Sequence, residues 1–143
     1  MTVIPISSDR VNTQALAAWG GVEDICNKLT KPMDKTPAHF EPTKDCRATV
    51  DYICNEYATQ ARSSQAYLGK PSKISKCIVA GLVYFEDISI KSFTILMPLQ
   101  VSGNVKIGDV TVDTDHYYHV LGEYFLRVAE GGKLVAISVS NIM

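Results

Sequence analysis

DTDHYYHVLGEYFLRV, residues 113–128, is the stretch whose reading decides the fold. Read with a period of 3.6, it is a helix. Asp113 to Asp115 supply the cap, and Tyr117, Tyr118, Leu121, Tyr124, Phe125 and Val128 recur at spacings of three and four along one face. Gly131-Gly132 closes it, as glycine closes many helices. A strand reading of its tyrosine-rich first half stays open.

The helical reading also defines chemistry. His116, His119 and Glu123 stand at i, i+3 and i+7, on one side of a helix, where two imidazoles and a carboxylate can hold a divalent metal. Asp113 and Asp115 lie beside them. The spacing does not match HExxH, and solvated histidines at a helix start explain the same residues. Tyr117 and Tyr118 are the candidate interface residues of this segment.

Outward toward the C-terminus, Lys133 to Ser140 alternates apolar residues with few charges and reads as a closing, central strand. Outward toward the N-terminus, the runs Ile74 to Phe85, Ser92 to Leu99 and Val101 to Asp113 are rich in β-branched and aromatic residues and read as strands. The breaks at Glu86 to Ser89 and at Gly103-Asn104 suit antiparallel hairpins, because parallel strands need long crossovers.

The first half has a different period. Ala15, Ala18, Trp19, Val22, Ile25, Cys26 and Leu29 mark one helical face from Thr13, with Asn12 or Thr13 as cap and Pro32 as stop. Gly20-Gly21 leaves two short helices as the alternative. Cys46, Val50, Ile53, Cys54, Tyr57, Ala58 and Ala61 form a cleaner stripe, which predicts a helix from Lys44 to about Arg62 capped by Thr43. Lys31 to Pro42 reads as a surface loop. Thr2 to Ile6, interrupted by Pro5, reads as a sheet edge or an extended arm.

The expected fold is therefore a single α+β domain over residues 1–143. Two N-terminal amphipathic helices pack on a mainly antiparallel sheet of four to five strands, with one further helix before the last strand. The 143 residues, 46% hydrophobic and 20% charged, suit one core. A net charge of -1 supplies no whole-molecule field toward phosphate backbones or anionic lipid. No stretch has the length of uncharged apolar residues that a bilayer span needs, and the N-terminal residues lack a signal-peptide pattern. Cys26, Cys46, Cys54 and Cys77 form no CxxC pair and read as reduced, core-packed thiols, which points to the cytoplasm.

Other patterns are weaker. Lys70, Lys73 and Lys76, with Lys31, Lys35 and Lys44, are candidates for a basic nucleic-acid-binding rim, with Tyr67 and Tyr84 able to stack bases. Solvated lysines beside turns account for the same residues. Gln14 to Leu29 is similar to helix-turn-helix sequences at Ala17, Gly21 and Val22, but Asn27 falls on a buried position and Glu23 and Asp24 would face phosphates. Cys46, near a helix start with His39 close in sequence, is the best placed candidate nucleophile, although it also begins an apolar stripe.

The reading that follows is a non-enzymatic interaction or assembly module: a homo-oligomeric accessory protein of a virus or mobile element, with a protein partner or itself as partner and no cofactor. The alternatives are a nucleic-acid-binding or transcription-modulating protein and a small metal-dependent hydrolase.

Overall fold

From residue 78 onward every regular element among the described residues is a strand. The computed structural model describes residues 2–90 and 93–140. Within them run β1 (Val3–Ser7), α1 (Asn12–Lys28), β2 (Ala38–Phe40), α2 (Lys44–Arg62), a short 3-10 turn (Gln65–Tyr67), β3 (Ile78–Tyr84), β4 (Ile88–Ile90) and β5 (Thr94–Ser102). There follow β6 (Val105–Ile107), β7 (Val110–Thr111), β8 (His116–Val120), β9 (Tyr124–Val128) and β10 (Lys133–Ser140). The residue Ser92, where a strand was expected to start, lies outside the described residues.

The strands form two antiparallel sheets, one of six in the order β1-β8-β5-β10-β3-β2 and one of four in the order β4-β9-β6-β7. Alternation along the six-stranded sheet assigns its faces. Val135, Ile137 and Val139 of β10 pack with Ala18, Val22 and Cys26 of α1 and with Val50, Ile53 and Tyr57 of α2. Leu134 and Ala136 of the same strand pack instead with Val105, Ile107, Leu126 and Val128 of the smaller sheet. The result is three layers, with the large sheet covered by helices on one face and by the small sheet on the other.

This corrects the expected fold. The two N-terminal helices are present, but they lie on one of two sheets that together hold ten strands, and residues 116–128 form β8 and β9 in place of a third helix. The physical reason is that β8 is buried on both faces. Tyr117 belongs to the helix-side core and Tyr118 and Val120 to the sheet-side core, so Tyr117 to Val120 are buried without a break and a helical spacing is matched by coincidence. In β9 the period of two is plain: Tyr124, Leu126 and Val128 are buried while Phe125 and Arg127 are exposed.

The breaks between strand runs are not hairpins within one sheet. β3 and β5 flank β10 and do not pair with each other, and the chain leaves the large sheet for the small one after β3 and again after β5. Gly103 makes the second of these corners with φ +73°, and a Cβ there would meet Gly132 Cα at 3.0 Å, where the chain returns from β9 to β10. Gly131-Gly132 is thus sheet-switching punctuation and not a helix end.

Two further details position the layers. The register between β5 and β10 shifts between Val135 and Ala136, so that Leu99 is the extra residue of a bulge next to Pro98. A bulge is where a central strand tolerates proline, which has no ladder donor. α1 is one continuous helix through Gly20-Gly21, with no turn at the helix-turn-helix position. β1 sits at one edge of the large sheet, as its Pro5 requires, and β2, inside the expected loop, closes the other edge.

Candidate functional site

On a strand, residues three apart face opposite ways, so β8 separates the histidines that a helix would have joined. His116 is half-buried, with Nδ1 2.8 Å from Asp113 Oδ1 and its ring against Tyr118. His119 is fully buried on the helix side, and Glu123 is exposed beyond the end of β8. Among the described residues no three His, Cys, Asp or Glu side chains converge on a metal position. The metal reading of His116, His119 and Glu123 rested on a helix that does not form.

Tyr117 and Tyr118 are 2% and 1% exposed. They are core residues on opposite faces of one strand, so neither ring is open to a partner in the folded chain. The three lysines stay together only loosely: Lys70 is half-buried and Lys73 and Lys76 are exposed along the irregular segment that leads into β3. Lys31, from the earlier loop, instead pairs with Glu86 at 2.6 Å. Tyr67 and Tyr84, the proposed stacking residues, are both buried. Cys46 is sealed and receives a hydrogen bond from Thr43 Oγ1 at 3.3 Å, whereas His39 points outward from β2.

Around His119 the structure builds a cluster that the sequence reading did not assemble. The rings of Tyr57, Tyr67 and Tyr117 stand 5.4, 5.6 and 5.7 Å from the imidazole. Nδ1 and the Tyr67 hydroxyl are 2.5 Å apart, the donor being set by the tautomer, and Nε2 has no partner among the described residues. Burial pushes the His119 pKa down to about 4 and the Tyr67 pKa up to about 12. Tyr57 donates to the Pro71 carbonyl at 2.7 Å, and the Tyr117 hydroxyl accepts from Gln60 Nε2 at 3.0 Å.

Next to this cluster a cleft of about 400 Å³ is lined by Arg10, Tyr52, Glu56, Gln60 and Tyr117. His119 is not among its lining residues. A general base must come within hydrogen-bond reach of the proton it takes, and a fully buried imidazole behind Tyr117 does not. What the arrangement does is fix the end of α2 and the 3-10 turn onto β8.

A second exposed group of side chains lies on the far side of the large sheet from the helices. On the outer face of the four-stranded sheet, Phe125 is 61% exposed and stands opposite Ser89 of β4. Two residues along β9, Arg127 is directly opposite Lys106 of β6, and Lys106 is in turn opposite Thr111 of β7. Among the described residues no carboxylate forms an ion pair with either cation. The in-out alternation of Tyr124 to Val128 was the signal that would have found this face, and the helical reading concealed it.

Comparison of the chain with protein-family models, with curated proteins and with solved structures finds no match in any of the three.

Proposed function

We propose that this chain is a non-enzymatic interaction module whose working surface is the outer face of the small sheet, and that its partner is an acidic segment of another protein. The observation that carries the reading is the juxtaposition of exposed Phe125 with the Lys106–Arg127 cross-strand pair. Like charges directly opposite one another on a sheet are unfavourable, so an anionic group placed between them relieves a repulsion as well as making new contacts. Phe and Arg are enriched at the anchoring positions of protein interfaces, and the ring supplies an apolar contact two residues from the charge.

Two cations are few for a nucleic-acid surface, whose affinity rises with the number of phosphates neutralised, and the net charge of -1 adds no general attraction. A second copy laid face to face with its two-fold axis at this pair would bring the same cations together, which disfavours that self-association.

The test is fluorescence anisotropy of the full chain with a labelled Glu/Asp-rich peptide carrying one Leu, against an oligothymidine of similar length. Saturable peptide binding that weakens with salt, falls at least roughly tenfold in Phe125→Ser and is lost in Lys106→Glu/Arg127→Glu supports the reading. Peptide binding unchanged in those variants, absence of peptide binding, or tighter binding of the oligonucleotide overturns it.

A further inference from the structure

The four cysteines divide into two kinds. Cys26 and Cys46 are sealed inside the helix-side core, as a core-thiol reading expects. Cys54 on α2 is half-buried and Cys77, immediately before β3, is exposed. These last two come from elements far apart in the chain, yet they line one surface cavity with Asp51, Asn55, Ile74 and Val79. Such a pair is unlike a lone surface thiol, because a second sulfur already stands where it can resolve a modified first one.

We propose that Cys54 and Cys77 are an oxidisable pair that forms a reversible disulfide by exchange with a small-molecule disulfide, closing residues 54–77 into a ring. Cys77, the exposed sulfur with Lys76 next to it in sequence, reacts first. Its thiolate attacks one sulfur of the small disulfide and expels the other half as a thiolate, leaving a mixed disulfide on Cys77. Cys54 then gives up its proton to solvent and attacks the Cys77 sulfur, expelling the second half. The two departing thiolates take up the two protons released by the cysteines, so one small disulfide is reduced to two thiols for each protein disulfide made.

The environment of Cys54 makes the second step the slow one. Burial, the neighbouring Cys77 thiol and Asp51 one turn earlier raise its pKa to about 12. Ring closure should therefore quicken roughly tenfold per pH unit through the neutral range. Once closed, the bond ties α2 to the start of β3 and fixes the segment that carries Lys70, Lys73 and Lys76.

The experiment incubates the full chain with excess oxidised glutathione, blocks remaining thiols with an alkylating reagent at intervals and reads intact mass and peptide maps. The expected product has lost two hydrogens, maps to a Cys54–Cys77 link, reverts with dithiothreitol and unfolds at a Tm higher by roughly 5–10 °C. Cys54→Ser should stop at the glutathione adduct on Cys77, Cys77→Ser should form neither product, and Asp51→Asn should speed closure. Cys46→Ser should leave the link unchanged. A glutathione adduct on Cys77 that persists in the unsubstituted chain as it does in Cys54→Ser overturns the proposal, as does a link involving Cys26 or Cys46, or absence of any reaction.

Discussion

The six-stranded sheet has two covers made in different ways. On its helix side, α1 and α2, of 17 and 19 residues, enclose a core that contains His119, Thr49, Tyr57 and Tyr67 among its aliphatic residues. On the other side the cover is a sheet of strands two to five residues long, and its buried partners are aliphatic apart from Tyr84, Tyr118 and Tyr124. The same strands feed both sides by simple alternation. Long, rigid elements hold a core that contains a buried imidazole, and short elements hold a core that contains none. The helix side should therefore resist relaxation and respond to pH, and the sheet side should do neither.

The largest effect tests relaxation. Ile137 and Leu134 lie on β10, both fully buried, one facing each cover. Truncation of either to alanine should cost about 2–5 kcal/mol, with the loss depending on how far the surroundings collapse into the space. Ile137→Ala, facing two helices, should lie in the upper half of that range and Leu134→Ala, facing short strands, in the lower half. Urea unfolding of the two variants decides it, and an inverted order would break the comparison.

The next effect is confined to the helix side. His119 has its folded pKa lowered to about 4 by burial, with no charged group contributing, so the unfolded chain takes up a proton first as pH falls. Stability from this residue is complete above its unfolded value near 6.5, and is lost progressively down to about 4, amounting to about 3 kcal/mol. Unfolding free energies measured across that window should fall toward acid in the native chain, and the fall should be smaller in His119→Gln by that amount. Parallel profiles would show that the imidazole is not the source. On the sheet side, Tyr124→Phe, whose hydroxyl has no partner, should leave the profile unaltered.

Gly81 offers a sharper probe of the helix-side edge. A Cβ there would stand 2.5 Å from Phe40 Cε2 and 2.6 Å from the Phe40 carbonyl oxygen, and β2 is held to β3 by three register pairs. A backbone atom cannot swing aside as a side chain can, so Gly81→Ala should cost about 1–3 kcal/mol and loosen β2. Thermal unfolding gives the cost, and hydrogen exchange at the β2 amides gives the location. Unchanged β2 protection would mean that the edge absorbs the methyl group elsewhere.

How much of this was legible in the sequence depends on how many faces each element buries. α2, with one buried stripe and a Thr43 cap, was read at Lys44 to about Arg62 and runs Lys44–Arg62. β10 was read as a central strand over Lys133 to Ser140 and is one. β8 buries both faces, so its residues carry no period, and the metal and interface readings placed on a helix there fell with it. The division of strands between two sheets is set by corners such as Gly103, which look like hairpin turns until the pairing of distant strands is known. Of the exposed face, Phe125 was placed on the buried stripe of the expected helix and Arg127 was not singled out, and their meeting with Lys106 required the β6–β9 register. The nearness of Cys54 to Cys77 likewise depends on where a long irregular segment returns.

The smallest effect concerns what holds the two helices of the helix-side cover together. Thr43 accepts from the Cys46 amide at 3.3 Å as the N-cap of α2, and its methyl and hydroxyl both lie 3.7 Å from where a Cβ on Gly21 of α1 would be. One residue thus serves as a cap and faces Gly21 of the neighbouring helix. Loss of a cap costs about 1 kcal/mol, whereas loss of one partly buried methyl at a helix contact costs less. Thr43→Ala should therefore destabilise by about 1 kcal/mol and Thr43→Ser, which keeps the cap, by a few tenths. If the two variants unfold at the same urea midpoint, the methyl against α1 carries the stability and the cap does not, and the rigidity of this cover comes from helix packing rather than from how α2 begins.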